Sequence, residues 1–146
     1  QFAEMGAMLA EYLPRAFHVP AQFLHGGTSA KARDQMVKRF QDDDNAPPVF
    51  ILSLKAGGTG LNLTRANHVF HFDRWWNPAV EDQAADRAHR MGQENPVMVH
   101  RLVALDSIEE KILVLQEKKK DLARSVLDEG QASLGLTKED ILSLLV

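Results

Sequence analysis

The chain has 146 residues, no cysteine and a formal net charge of −3, from 17 basic and 20 acidic side chains. That length supports one substantial core with a small appendage, and 45% hydrophobic with 25% charged residues argues against wholesale disorder. Disulfides, thiolate zinc sites and cysteine nucleophiles are excluded, no apolar run approaches the roughly 18 residues a membrane span needs, and the slightly acidic balance makes any case for nucleic-acid binding a local one.

Phe2, Met5, Leu9 and Leu13 recur at helical spacing, which predicts a helix over about 2–13 that Pro14 ends. A chain that opens on Gln1 inside an uncapped helix reads as cut from something longer, and its first residues, without a basic n-region, do not read as a signal peptide. VPAQFL, 19–24, reads as a strand, followed by the turn His25-Gly26-Gly27. Thr28 or Ser29 caps a helix over about 29–41, with Ala32, Met36, Val37 and Phe40 as its apolar stripe. A breaking loop through Asp42 to Pro48 leads into VFILS, 49–53, which is apolar on both faces like a strand covered on both sides of a parallel sheet.

The Gly-rich loop 55–62, KAGGTGLN, precedes a strand at 67–72. Asn77-Pro78 is a helix start, with Asn as N-cap and Glu81 and Asp82 in the first turn; that helix should run to about Met91, with Gly92 closing it. A last strand spans 97–105. Ser107-Ile108-Glu109-Glu110 is a capping box opening a long helix to about Asp128. A Gly-containing linker follows, and then a short helix at 138–145. Alternating strands and helices give an α/β fold with a mostly parallel sheet, whose ligands bind beyond the carboxyl ends of the strands. Both Gly-rich loops fall there.

Neither a Walker A loop nor the full dinucleotide fingerprint is present, since Gly58-Thr59-Gly60 is followed three residues on by Leu63. The loop reads either as a flexible turn or as a backbone cradle for a phosphate, with Lys55 beside it. On a helix over 78–91, Gln83, Arg87 and Arg90 fall on one side, while Val80, Ala84, Ala88 and Met91 form a packing stripe next to it. Two guanidiniums so placed can converge on one polyanion, or can be a solvated face with Asp86 paired to Arg90. Adjacent at a strand end, Trp75 and Trp76 do not both fit the core: one reads as core and the other as packing on a partner or nucleic acid, although core or packing is the commoner role of a lone Trp. His68 and His71 point to opposite faces of their strand, and no metal site is expected.

LHGGTSAKARDQMVKRF, then ILSLKAGGTGLNLTRANHVFHFDRWWNP, then EDQAADRAHRMGQ, in that order and spacing, resemble the C-terminal RecA-like lobe of Swi/Snf-type ATPases, the DNA-translocating members of helicase superfamily two. The resemblance covers about residues 1–115 and implies a RecA-like three-layer sandwich with a mostly parallel sheet plus C-terminal helices. It places the lobe at 1–105, its first strand lying upstream of Gln1, and a helical extension at 106–146. It implies that ATP and Mg²⁺ lie between this lobe and an N-terminal RecA-like lobe of the same protein. That other lobe would supply the Walker A and B groups, so this chain alone would be inactive.

By the same resemblance, Arg87 and Arg90 map to arginine fingers with Gln83 near the γ-phosphate. Gly58 and Gly60 map to the nucleotide side. His25, Gly26, Gly27, Thr28, Lys55, Thr59, Trp76 and Asn77 map to the side facing double-stranded DNA. The implied partners are the other lobe, the duplex and proteins bound to it, with no membrane. The implied location is the nucleus in a eukaryote and the nucleoid or cytoplasm in a bacterium. The alternative from another class is a non-catalytic RecA-like module that only docks proteins.

Overall fold

A computed structural model describes residues 3–54, 56 and 60–129. The expectations placed on Lys55, Gly58, Thr59 and the helix at 138–145 lie outside the described residues.

The elements in chain order are α1 (Ala3–Phe17), β1 (Ala21–Leu24), α2 (Ala30–Asp42), β2 (Val49–Leu52), β3 (His68–His71), α3 (Pro78–Ala85), β4 (Met98–Arg101) and α4 (Ile108–Glu129). β1 and β2 pair in parallel, from Ala21 opposite Val49 to Leu24 opposite Leu52, with α2 as the crossover between them. The Ser53 N–H extends that ladder to the Leu24 carbonyl at 3.1 Å. β3 and β4 form a second two-stranded ladder. Its bonds run from the Met98 N–H to the Asn67 carbonyl and from the Leu102 N–H to the His71 carbonyl, advancing in one direction along both strands, so this ladder is parallel too. Among the described residues the expected sheet therefore appears as two parallel pairs, and each strand is shorter than its apolar run. β2 is half-buried along its length, less covered than its composition suggests.

Two compact units divide the chain. One is built from residues up to 69 and 83–100, the other from 70–82 and from 101 on. In the first, Leu24, Phe40, Ala46, Ala56, Leu63 and Ala88 form the core. The Phe40 and Phe50 rings meet edge to face with centroids 5.2 Å apart.

Local chemistry fixes the element ends. Of the two caps read from the sequence, Thr28 and Ser29, it is the Ser29 side chain that accepts from the Ala32 N–H and caps α2. At the other end of α2, Arg65 reaches over the Phe40 ring and donates to the carbonyls of Phe40 (2.9 Å), Asp43 and Asp44, satisfying acceptors that the helix leaves open. The expected stop of α1 at Pro14 is corrected: the helix runs on to Phe17 with Pro14 inside its last turns. There the ring forfeits one backbone bond, and the chain leaves the helix only where His18 takes a left-handed φ of 55° ahead of Pro20.

Gly6 is the buried position of α1, and a Cβ there would lie 2.5 Å from Cε2 and Cζ of Phe23 on β1. Gly6→Ala is expected to lower stability by about 1–3 kcal/mol through overpacking, read as a drop in the urea midpoint with unchanged slope. An unchanged midpoint would show that the Phe23 ring turns aside at no cost.

The expected helix over 78–91 is also corrected, because α3 ends at Ala85. The carbonyls that would carry it further are taken elsewhere. Arg87 accepts from the Leu63 N–H at 2.8 Å, and Ala88 accepts from Nε2 of Gln93 at 3.1 Å. Residues 86–92 continue as turns, with Gly92 at φ 95°. The apolar stripe breaks with the helix: Ala88 is buried, whereas Met91 is 93% exposed.

Candidate functional site

Shortening α3 does not scatter its basic side chains. Gln83, Asp86, Arg87, His89 and Arg90 line one groove of about 480 Å³ in the first unit, together with Gly60 and Leu61. That volume lies within the range of small-ligand sites. The two walls are tied to each other by the Leu63–Arg87 backbone bond and by Arg90, whose Nη1 donates to the Leu61 carbonyl at 3.4 Å. Gly60 adopts φ 106°, a left-handed conformation natural to glycine, and a Cβ there would meet open space.

Arg87 is half-buried while Arg90 and Gln83 are exposed. Removal from water pulls the Arg87 guanidinium below its ordinary value, although an arginine so shifted stays charged at neutral pH. Among the described residues no carboxylate lies within ion-pair reach of Arg87. A partly desolvated, uncompensated guanidinium suits an incoming anion with several oxygens. The donor set fits a phosphate and does not fit a hard cation. Among the described residues Asp86 is the one acid on the wall and no cluster of three metal-binding side chains occurs, whereas magnesium needs several oxygen ligands.

The turn after β1 is held by its own bonds. The Thr28 N–H donates to the His25 carbonyl at 2.9 Å, the His25 N–H to Oγ1 of Thr28 at 3.1 Å, and the Gly27 N–H to Nδ1 of His25 at 3.2 Å. Gly26 and Gly27 are exposed, so their backbone can approach a ligand closely.

In the second unit, the Asn77 side chain accepts from the Ala79 N–H at 3.2 Å and caps α3. Trp75 is half-buried and Trp76 is 42% exposed, their rings tilted with centroids 6.3 Å apart. The structure thus gathers Gln83, Arg87, Arg90 and Gly60 in one groove, and it keeps Trp76 and Asn77 in the other unit.

Sequence reasoning missed a buried polar cluster in that second unit. Arg74 and Glu81 pair bidentately, Nε to Oε1 at 3.0 Å and Nη2 to Oε2 at 3.1 Å. Oε1 of Glu81 also accepts from the Trp75 N–H at 2.9 Å, and Nε of Arg101 lies 3.6 Å from Oε2. Gln116 of α4 accepts from Arg74 and donates to the Trp75 carbonyl. Burial pushes the Glu81 carboxyl up, but the Trp75 N–H and Arg74 outweigh it and hold the group below its ordinary value. An arginine set among the aromatics of 70–76, FHFDRWW, was the available signal, since a charge buried there needs a partner.

Residues 1–92 match the family model described as the helicase conserved C-terminal domain. This chain belongs to that family. A Bacillus subtilis (strain 168) protein described as an ATP-dependent helicase/translocase, YwqA, is 53% identical over 127 residues, which cover 87% of this chain and 14% of that protein. The chain therefore spans about one seventh of the length of that relative. Among solved structures, the C-terminal part of the Fun30 ATPase domain superposes with a TM-score of 0.73 at 42% identity, covering 79% of this chain and 36% of that one. The Sulfolobus solfataricus SWI2/SNF2 ATPase core, solved with double-stranded DNA, gives 0.67 at 39% identity over 89% of this chain and 27% of that one. The fold is accordingly α/β and RecA-like, and this helicase C-terminal domain is of the Swi2/Snf2 type. Among the described residues no helix is long and apolar enough to cross a membrane.

Proposed function

We propose that this chain is the C-terminal motor lobe of an ATP-dependent double-stranded DNA translocase, with residues 1–105 as the lobe and 106–146 as a helical extension. The groove lined by Gln83, Arg87 and Arg90, with Gly60 on its wall, is its half of the ATP site, and we assign Gly58 to the nucleotide as well. The observation that carries the reading is the uncompensated, half-buried Arg87 beside Arg90 in one groove.

ATP bound with Mg²⁺ on the N-terminal lobe would bring the phosphoryl group whose charge these guanidiniums neutralise. Arg87 and Arg90 orient on the phosphate oxygens, while Gln83 hydrogen-bonds near the γ-phosphate. An arginine delivered this way contributes about 10³–10⁵ in rate, or roughly 4–7 kcal/mol at 1.4 kcal/mol per tenfold. The contribution exists only when the lobes close, so hydrolysis reports closure. To DNA we assign His25, Gly26, Gly27, Thr28, Lys55 and Thr59 and, separately, Trp76 and Asn77. Phosphate contacts of this kind are insensitive to base sequence and sensitive to salt, and a local cationic cleft suffices despite the net charge of −3.

The test is complementation. This chain alone should hydrolyse no ATP, and adding the N-terminal lobe in trans should restore a DNA-stimulated ATPase. Hydrolysis by this chain alone would contradict the half-site. Complex formation without any ATPase would favour the non-catalytic docking module.

A further inference from the structure

We infer that Arg74, Glu81 and Gln116 are positioning residues: together they clamp the backbone at Trp75 and thereby set how the exposed Trp76 indole is presented to DNA. The inference rests on the reading of Trp76 as a nucleic-acid contact.

Residues 72–77, between β3 and α3, belong to no strand or helix, so no ladder fixes their backbone. Side chains do so instead. The Trp75 N–H is held by Glu81 and the Trp75 carbonyl by Gln116, so both of its backbone polar groups end on the interior of this unit. The three clamp residues are among the most hidden polar groups described, with Arg74, Glu81 and Gln116 at 4%, 2% and 4% exposure. Asn77 fixes the far end of the segment by capping α3.

A buried ion pair is often no more stabilising than apolar packing of the same volume. Stability alone does not explain why the cluster is polar. What it delivers is direction, because each hydrogen bond constrains an angle as well as a distance. The neighbouring residue that is turned outward is Trp76, at 42% exposure. A recognition side chain carried on a pre-ordered backbone loses less conformational freedom on binding. Gln116 is the informative member, since its amide does two jobs. Its oxygen accepts from Arg74 and its nitrogen donates to Trp75.

The experiment uses the full-length protein and measures ATP turnover against duplex DNA concentration, with melting temperature as the fold control. Gln116→Met keeps the length of the side chain and removes both bonds. It should raise the half-saturating DNA concentration about fivefold, as expected for a lost hydrogen bond, with turnover at saturating DNA little changed. Gln116→Glu keeps an acceptor for Arg74 and loses the donor to Trp75, and it should behave like Gln116→Met. A merely structural role in accepting the Arg74 hydrogen bond would leave Gln116→Glu like the wild type and would overturn the inference. In combination with Trp76→Ala, either variant should add nothing to the effect of Trp76→Ala alone. Additive effects would overturn the clamp while sparing the DNA reading. An unchanged DNA dependence in Trp76→Ala itself would instead remove the DNA reading of Trp76, and the inference with it.

Discussion

On the proposed reading, Arg87→Ala and Arg90→Ala should each reduce DNA-stimulated ATP turnover of the full-length protein by about 10³-fold or more, while DNA affinity without nucleotide should stay near that of the wild type. The two side chains share one groove but differ in setting. Arg87 is half-buried and already stripped of part of its hydration, and an interaction made in such a place is stronger than one made in water. Arg90 is exposed and is steadied by a long bond to the Leu61 carbonyl. The loss at Arg87 should therefore equal or exceed the loss at Arg90. Arg87→Lys keeps the charge and loses the planar fork, so it should fall near Arg87→Ala rather than near the wild type. Folding is little affected in these variants, because the shorter of the two bonds between this wall and the facing loop uses the Arg87 backbone carbonyl, which alanine retains, and Arg90→Ala gives up only the long, exposed bond to the Leu61 carbonyl. Near-normal turnover in either alanine variant would remove that residue from the finger assignment.

The convergence of Gln83, Arg87 and Arg90 was legible as a helical-wheel argument on a helix that is in fact absent beyond Ala85. The wheel still worked because residues 86–89 keep near-helical turns, with the N–H groups of Ala88 and His89 both bonding to the Ala85 carbonyl. By Met91 the register is lost, and the predicted packing residue points to solvent. What ended the helix was competition for its carbonyls by Leu63 and Gln93, and such a tertiary bond leaves no periodic trace in sequence. Helix starts were legible for the opposite reason. Ser29, Asn77-Pro78 and Ser107 act on groups two or three residues away. Even there one detail shifted: Glu110 reaches the Asp106 N–H rather than that of Ser107, because Asp106 takes a φ of 54°.

The Arg74–Glu81–Gln116 cluster was illegible on the same grounds. Its members are 7 and 42 residues apart, and an acid in the first turn of a helix already has an ordinary explanation in the helix dipole. Only burial separates the two readings of Glu81.

That burial sets the other large effect. Glu81→Ala should cost about 3–5 kcal/mol, because it leaves the buried Arg74 without its counter-charge; Arg101, which loses one of its two acids, is more exposed and matters less. The measurement is the urea or thermal midpoint, and a change below 1 kcal/mol would mean that water reaches Arg74 freely. Acid should act on the same cluster in two stages. Burial, partly opposed by Glu81 and reinforced by Arg101 and Arg74, lowers the His71 imidazole below its ordinary 6.5. The neutral form is therefore the folded one, and its contribution is whole above pH 6.5 and drains away as pH falls toward the lowered value. Nε2 of His71 is buried without a hydrogen-bond partner among the described residues, so protonation there adds a donor with nowhere to go. Glu81 shifts downward from 4.5. Its contribution is whole above that pH and is lost only as pH drops through its lower folded value. A stability profile that declines first below about 6.5 and again below about 4.5 fits both shifts. His71→Phe should remove the first decline and leave the second, whereas a flat profile from pH 7 to 5 in the wild type would show that His71 is open to water.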